Sequence, residues 1–308
     1  MVCNSVGESV MCYNLIVINT DKKEKKRVGE LLSYIFESFR YNHDGAFLFN
    51  STNNQYVRTL DYEEFKRVLS NQVLGNGYIH MHLRLASHGS VNVDNIHGWQ
   101  FDNYYCSHNG SYFEGYTYYG LHYGYDNNNN TDSFQFFNKY KNEINKNKLS
   151  KIDLTGFFGV AFCTPKDNTN KRIVMISKNK SIKVYKFGSL LLFSNEPLDF
   201  LYSPLKFAGF EFNNVIKTEI ENQILVYDYK QLNIIKHKDV NVKSMYGMST
   251  INDPFYDVIY KKSHKKGSKK GNKVDNDALN DTWDFDNYHY KCTQQNGELD
   301  CSWEMDDY

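Results

Sequence analysis

The chain has 308 residues, a formal net charge of zero, 41% hydrophobic residues and 16% aromatic residues. This composition can close a sizeable core, which excludes a wholly disordered chain, and the balanced charge gives no reason to expect a nucleic acid or a membrane as the main partner. The start lacks the apolar stretch of a signal peptide, no run approaches the roughly 18 apolar residues of a membrane-spanning helix, and the six cysteines form no CxxC pair. We therefore expect a cytoplasmic protein with free thiols.

Apolar periodicity predicts an alternation of strands and helices along the first 240 residues. In chain order the predicted elements are a strand at 13–19, a helix at 27–39, a strand at 46–49, a helix opened by Asp61 as N-cap, a strand at 78–84, a helix at 133–145, strands at 157–163, 172–177, 182–187 and 190–193, and a late hairpin of 224–229 with 233–237. Strands mixed with blocks of helices predict an α+β layered domain.

The charge pattern changes sharply near residue 260. Residues 261–273 carry seven lysines and no acid, whereas residues 275–308 carry ten acids and one lysine. Few aliphatic residues and no clear period occur in this part, so we expect 261–308 to be a flexible or partner-binding tail. Residues 12–240 then form the folded domain, and 241–260 form a connector.

Histidines are concentrated between positions 80 and 108, where five of the ten occur. His80 and His82 are two residues apart, so they share one face of a strand and could hold a metal ion. The alternative is that they are core or loop histidines. A second candidate set with irregular spacing could suggest zinc in the tail: Cys292, Cys301, His264 and His289.

Five residues carry the groups that a cysteine amidohydrolase needs: Cys12, Arg84, Asn109, Gly110 and Asp132. A chain-terminal cysteine can use its own α-amine, with a pKa of about 7.7–8.0, as the base that takes the thiol proton. A side-chain amide next to a glycine N–H can bind a tetrahedral oxyanion. A cation and an anion suit the carboxylate and the ammonium of an α-amino acid. None of these features is specific alone, since a lone cysteine is usually a buried small hydrophobe.

The order and spacing of several short motifs resemble those of class II glutamine amidotransferases, and in particular of their small stand-alone members. The matching segments are Met11-Cys12 before an apolar strand, 42–45 for N-P-D-G, 82–89 for H-x-R-W-A-T-x-G, 95–97 for N-x-H, 107–110 for V-H-N-G, 131–133 for S-D-T/S, 156–162 for the G-x-Y-A strand, and 194–196 for S-S-E. A co-linear set of this kind is specific for a family.

By this resemblance the fold is a four-layer αββα N-terminal-nucleophile hydrolase sandwich. Cys12 would attack the side-chain amide of glutamine, while Asn109 and Gly110 hold the oxyanion. Ammonia would leave, and water would hydrolyse the thioester to glutamate. His82, His88, His97 and His108 would then be motif and scaffold residues, so the resemblance implies no metal ion and no cofactor.

The resemblance also implies a substrate-binding set and a partner. Arg84 would bind the α-carboxylate of glutamine and Asp132 its α-amine, with Ser87 and His88 beside them. About 70 mostly polar residues follow the late hairpin, which is too few for a synthase domain. We therefore expect a separate acceptor enzyme to receive the ammonia.

Four departures from the family pattern concern the site. Cys12 does not begin the chain, so we expect residues 1–11 to be either a removed leader or a mis-assigned start before translation at Met11. The other departures are Tyr13 in place of Gly, Leu85 in place of Trp together with Gly98 in place of Pro after His97, and Phe134 in place of an acidic residue.

Two further functions remain open at this level. One is a γ-glutamyl hydrolase that uses the same cysteine on a larger metabolite. The other is a non-catalytic binding or structural protein that keeps the fold, which a chain still beginning at Met1 would favour because Cys12 would lack its base.

Overall fold

The computed structural model divides the chain into two compact units, residues 1–248 and 249–308. The residues that the structure describes are 12–86, 89–112, 116–117, 120–121, 131–167, 169–202, 206, 216–240, 288–295 and 298–305. The expected leader 1–11, the connector 241–260, much of the tail, and both Ser87 and His88 lie outside the described residues.

The first unit is a mixed α+β structure with three described α-helices. These are α1 (Gly29–Ser38), α2 (Tyr62–Ser70) and α3 (Asp132–Asn145). The strands of this unit are β1 (Tyr13–Asn19), β2 (Lys26–Arg27), β3 (Ala46–Asn50), β4 (Gln55–Thr59), β5 (Val73–Leu74), β6 (Tyr78–Leu83), β7 (Trp99–Phe101), β8 (Tyr104–Tyr112), β9 (Tyr116–Thr117), β10 (Gly120–Leu121), β11 (Phe157–Pro165), β12 (Arg172–Phe187), β13 (Leu190–Ser194), β14 (Ile216–Asp228) and β15 (Asn233–Asp239). None of the described helices is long and apolar enough to cross a membrane.

Eleven strands form one antiparallel, curled sheet in the order β4-β3-β6-β1-β13-β12-β11-β8-β7, and β14 pairs with both β12 and β15. The sixteen-residue strand β12 joins two parts of this sheet, because its first half pairs with β11 and its second half with β13. A register shift between Ser177 and Ser181 separates the two halves. Bulges bend a strand and leave backbone groups unpaired. Here Asn222 accepts from Asn179 N at 2.8 Å and donates its own N–H to Ser177 Oγ at 3.1 Å.

Strand β1 is buried on both faces, and its alternate residues enter different clusters. Leu15 and Val17 pack with the apolar faces of α1 and α2, whereas Ile16 and Ile18 lie in a cluster with residues of β8, β11 and β14. A further cluster joins α3 to β8, β11 and β12 through residues such as Phe136. A strand buried on both faces reads as a continuous apolar run, as the sequence of β1 does.

Side chains cap the starts of α2 and α3. Asp61 caps α2, since its side chain accepts from Glu64 N at 2.9 Å, as predicted. Thr131 caps α3 by accepting from Phe134 N at 3.2 Å. The late hairpin is confirmed as β14 and β15.

The second unit contains an antiparallel hairpin of β16 (Tyr288–Gln295) and β17 (Glu298–Met305). The sequence pattern predicted no strand in this part of the tail. The missed signal is the Asn-Gly pair at 296–297, which is typical of a two-residue hairpin connection.

Candidate functional site

Cys12 lies immediately before β1, and its half-buried thiol contacts the main chain that follows β6. The thiol donates to Leu85 O and accepts from Leu85 N, both at 3.4 Å. The thiol is therefore held at one end of two central, hydrogen-bonded strands.

Asn195 fixes the backbone around Cys12. Its Nδ2 donates to Cys12 O at 3.1 Å and to Glu196 Oε1 at 2.8 Å, and its Oδ1 accepts from Asn14 N. Its own N–H donates to Asn14 O at 3.2 Å, which extends the pairing of β1 with β13 by one residue. The sequence identifies Asn195 only as part of a motif, because a contact across about 180 residues has no local signal.

Arg84 follows directly after β6, and the pairing of Tyr13 with Leu83 places it beside Cys12. It is only 1% exposed. Its guanidinium donates to Asp44 O at 3.4 Å, to Ser90 O at 3.2 Å and to Gly89 O at 3.5 Å. Burial lowers the pKa of Arg84, while the charges of Cys12 and Asp44 raise it. Main-chain carbonyls thus hold a buried cation next to the thiol.

Opposite charges act on the Cys12 thiol. Burial raises its pKa to about 11, the Leu85 N–H and the Arg84 guanidinium lower it, and the Asp132 carboxylate raises it. The thiol is accordingly protonated at neutral pH. Because the thiolate is the nucleophile, a base is required to take this proton.

Asp132 begins α3, and its Oδ2 accepts from Tyr112 N at 2.7 Å. Its neighbour Ser133 hydrogen-bonds His108 Nδ1 at 2.8 Å, and His108 Nε2 donates to Phe158 O at 3.0 Å. The start of α3 is thereby tied to β8, where Asn109 and Gly110 lie.

Asn109 and Gly110 belong to β8, where it pairs with β11. Asn109 is 1% exposed, and its Nδ2 has no hydrogen-bond partner among the described residues. Gly110 faces Gly159, and both have a positive φ, +149° and +120°. A Cβ at Gly110 would lie 1.9 Å from Phe158 O, so glycine is required for the two strands to approach this closely.

Contacts along β8 place Asn109 at the Cys12 end of β1. The Tyr105 ring packs 4.5 Å from that of Phe49, and two residues later Ser107 Oγ donates to Asn14 Oδ1 at 2.7 Å. Alternate residues of a strand share a face, so Asn109 is the next side chain on this face of β8. The structure thus brings the predicted residues Cys12, Arg84, Asn109 and Asp132 to one end of the sheet.

Four of the clustered histidines, His80, His82, His97 and His108, are buried and form contacts within the core. The His97 ring stacks on the His82 ring at 4.0 Å and packs at a tilt against the Trp99 ring at 4.3 Å, and its Nδ1 accepts from His108 N at 3.2 Å. His80 hydrogen-bonds Ser107 and Thr164. In the part of the chain with described side chains, no group of three His, Cys, Asp or Glu residues is arranged to hold a metal ion.

Acid is expected to destabilise the fold through these histidines. Burial lowers the pKa of His80 to about 3 and that of His108 to about 4. The unfolded chain takes up these protons near pH 6.5, so their contribution is fully present above about pH 6.5 and is lost as the pH falls towards 4. For the two groups the free energy of unfolding should fall by about 4 kcal/mol between pH 7 and pH 5.

Urea unfolding at both pH values measures this change. His108→Gln should make the pH dependence of the free energy of unfolding shallower, because the variant lacks one of the two buried imidazoles. A stability that stays constant between pH 7 and pH 5 would contradict the assignment of neutral buried imidazoles.

The residues that depart from the family pattern have clear packing partners. The Tyr13 ring stacks on Phe39 at 4.0 Å, on the side of β1 that faces α1, so it points away from the Cys12 face. Gly98 has φ +86°, and a Cβ there would lie 2.2 Å from the Phe47 ring. Its N–H also donates to Cys106 O at 2.9 Å, which a proline could not do. Phe134 packs near Trp99 and Phe101.

Lys180 is a second cation near the thiol that the sequence analysis missed. It lies in the bulge of β12 and is half-buried. Burial lowers its pKa, while the charges of Glu196 and Cys12 raise it. No sequence pattern marks this lysine among the many of the chain.

Comparisons with known proteins add no family assignment: no protein-family model matches the chain, and no curated protein matches it significantly. The resemblance to glutamine amidotransferases therefore depends on the sequence motifs.

Proposed function

We propose that this protein is a glutamine amidohydrolase of the class II amidotransferase type, in which Cys12 is the nucleophile. The observation that carries the proposal is the position of the Cys12 thiol, which is held by Leu85 at the end of β1 while the charges of Arg84 and Asp132 act on it. An α-amino acid with an amide side chain presents charges of the opposite signs.

The proposed reaction starts with transfer of the thiol proton to the α-amine of Cys12. The sulfur then forms a bond to the amide carbon of glutamine, and the C=O electron pair moves to oxygen. Asn109 Nδ2 and Gly110 N stabilise this oxyanion. The C–N bond breaks as the ammonium returns its proton to nitrogen, so ammonia leaves. Water then adds to the thioester, and glutamate is released with regeneration of the thiol.

The fold supports a proposal that the first unit is a four-layer αββα N-terminal-nucleophile sandwich. One apolar cluster joins α1 and α2 to β1 and its neighbours, and another joins α3 to β8 and β11. A third cluster contains residues from both groups of strands. Two helix layers covering two packed sheet layers would produce these three clusters.

Ammonia is useful only if an acceptor captures it. We therefore propose a separate acceptor enzyme as partner, in the cytoplasm, where the thiol stays reduced. Glutamine is the proposed substrate. Ser87 and His88 complete the proposed substrate-binding set with Arg84 and Asp132.

The proposal is tested with a chain that begins at Cys12. Incubation with glutamine should release ammonia and glutamate in equal amounts, and acid quenching should trap a glutamyl thioester on Cys12, detectable by mass spectrometry. A panel of γ-glutamyl amides tests the alternative that a larger metabolite is cleaved. A Cys12-initiated, folded protein that hydrolyses no member of this set would refute the proposed chemistry.

Arg84→Met is expected to raise the KM for glutamine about 10- to 150-fold, because an ionic contact of about 1.5–3 kcal/mol to the α-carboxylate is lost. The kcat should change less, although the carbonyls of residues 44, 89 and 90 also lose their donor. Steady-state kinetics measure KM and kcat separately. Arg27→Met, at an exposed position, is the control. An unchanged KM for Arg84→Met would place the carboxylate site elsewhere.

A further inference from the structure

A chain of buried polar side chains connects β11 with β1. Ser107 Oγ donates its proton to Asn14 Oδ1 at 2.7 Å, so it must accept from His80 Nε2, which lies 2.6 Å away. His80 Nδ1 then accepts from Thr164 Oγ1 at 2.8 Å. Burial lowers the pKa of His80 to about 3, so the imidazole stays neutral and keeps one donor and one acceptor. These bonds run in one direction and fix the orientation of the Asn14 amide.

The Asn14 amide has a free donor. Its Oδ1 is used by Ser107, and its Nδ2 has no hydrogen-bond partner in the described part of the chain, although Asn14 is fully buried. Asn109 Nδ2 also has no hydrogen-bond partner among the described residues, and Asn109 is only 1% exposed. Buried donors are almost always paired, so two unpaired amides at one end of the sheet indicate a place for an acceptor atom.

The two unpaired amides belong to facing strands near the nucleophile. Asn14 lies in β1, two residues after Cys12, and Asn109 and Ser107 are alternate residues of β8 that share one face of that strand. The bond from Ser107 to Asn14 shows that this face of β8 is opposed to the Asn14 side of β1. An oxygen atom bound to a carbon that Cys12 attacks would enter the space between them.

We propose that Asn14 is a further catalytic residue, whose Nδ2 donates to the same oxyanion as Asn109. This inference rests on the proposed amide hydrolysis. When the Cys12–carbon bond forms, the carbonyl electron pair moves to oxygen, and both amides then donate to a full negative charge. The bond from Ser107 to Asn14 Oδ1 polarises the amide and strengthens its N–H groups as donors. Ser107, His80 and Thr164 are positioning residues.

The test replaces Asn14 by leucine, which has a similar shape and no donor. The kcat for amide hydrolysis should fall about 10²- to 10³-fold, with KM changed less than about threefold, because the lost bond forms fully only in the transition state. Ser107→Ala, which releases the amide without removing it, should lower kcat by a smaller factor. Asn19→Leu, the same change at the far end of β1, should leave kcat unchanged.

A second readout separates this inference from the proposed function. A γ-aldehyde analogue of glutamine adds the Cys12 thiol and creates the oxyanion reversibly, so Asn14→Leu should weaken its binding about 100-fold. Alkylation of Cys12 by iodoacetamide forms no oxyanion and should keep its rate. A folded Asn14→Leu protein with the parental kcat and aldehyde affinity would overturn the inference while amide hydrolysis by the wild type stands. A Cys12-initiated wild type without hydrolysis would overturn both.

Discussion

Replacing Cys12 by alanine is expected to lower amide hydrolysis about 10⁴-fold or more, because the proposed covalent step uses the Cys12 sulfur as its nucleophile. The other thiols with described side chains, Cys106 and Cys163, are buried in the α3 cluster. Cys12 itself is half-buried and makes only two long sulfur contacts, so the variant should fold normally. Ammonia release measures activity, and circular dichroism with thermal unfolding measures folding.

Cys106→Ala is the matched control, because it removes a thiol from the same domain and should leave turnover intact. A Cys12→Ala protein with wild-type turnover would show that another group attacks the amide.

The same activity assay also tests whether the α-amine of Cys12 is the base that takes the thiol proton. Because burial raises the pKa of the Cys12 thiol to about 11, the thiol needs a base at neutral pH. A chain that begins at Cys12 has that base, whereas a chain with one residue left before Cys12 does not. The extended chain should lose turnover but keep the same thermal stability. Equal turnover of the two chains would place the base on another residue.

Gly110→Ala is expected to destabilise the domain by about 3 kcal/mol or more, through overpacking and backbone strain together. The added Cβ would lie 1.9 Å from Phe158 O and 2.8 Å from Gly159 Cα, with φ at +149°. Because β8 and β11 are paired over nine residues, the strands cannot separate at Gly110 without losing neighbouring hydrogen bonds. Urea unfolding measures the loss, and any folded fraction should hydrolyse amides poorly because Asn109 moves with the strand.

Gly188→Ala separates the effect of overpacking from the effect of backbone strain. Gly188 also has a positive φ, +53°, but a Cβ there would meet no atom within 4 Å. The free energy of unfolding should fall by only about 1 kcal/mol, because backbone strain alone acts at this position. An equal loss of unfolding free energy in the two variants would mean that the close approach of β8 and β11 does not contribute to the destabilisation.

Local sequence signals predicted the elements well where the pattern repeats within a few residues. The apolar run of β1, the cap of α2 by Asp61 and the late hairpin of β14 and β15 all appear in the structure. The motif residues Cys12 and Arg84 were also identified from the sequence. These two residues lie side by side because β1 pairs with β6.

The sequence by itself therefore determined the three helices, most of the apolar strands of the first unit and the residue types available for amide chemistry, because periodicity, capping and motif order are properties of neighbouring residues. It did not predict β4, β7 or β8, the last of which carries Asn109 and Gly110. Only the tertiary structure decided how the site is held. Asn195 reaches Cys12 across 183 positions, and the free amide of Asn14 is oriented by Ser107, 93 positions away. Such contacts depend on which strands pair and how the sheet curls at the bulge of β12. No local pattern carries that information, because the partners become neighbours only when the core closes.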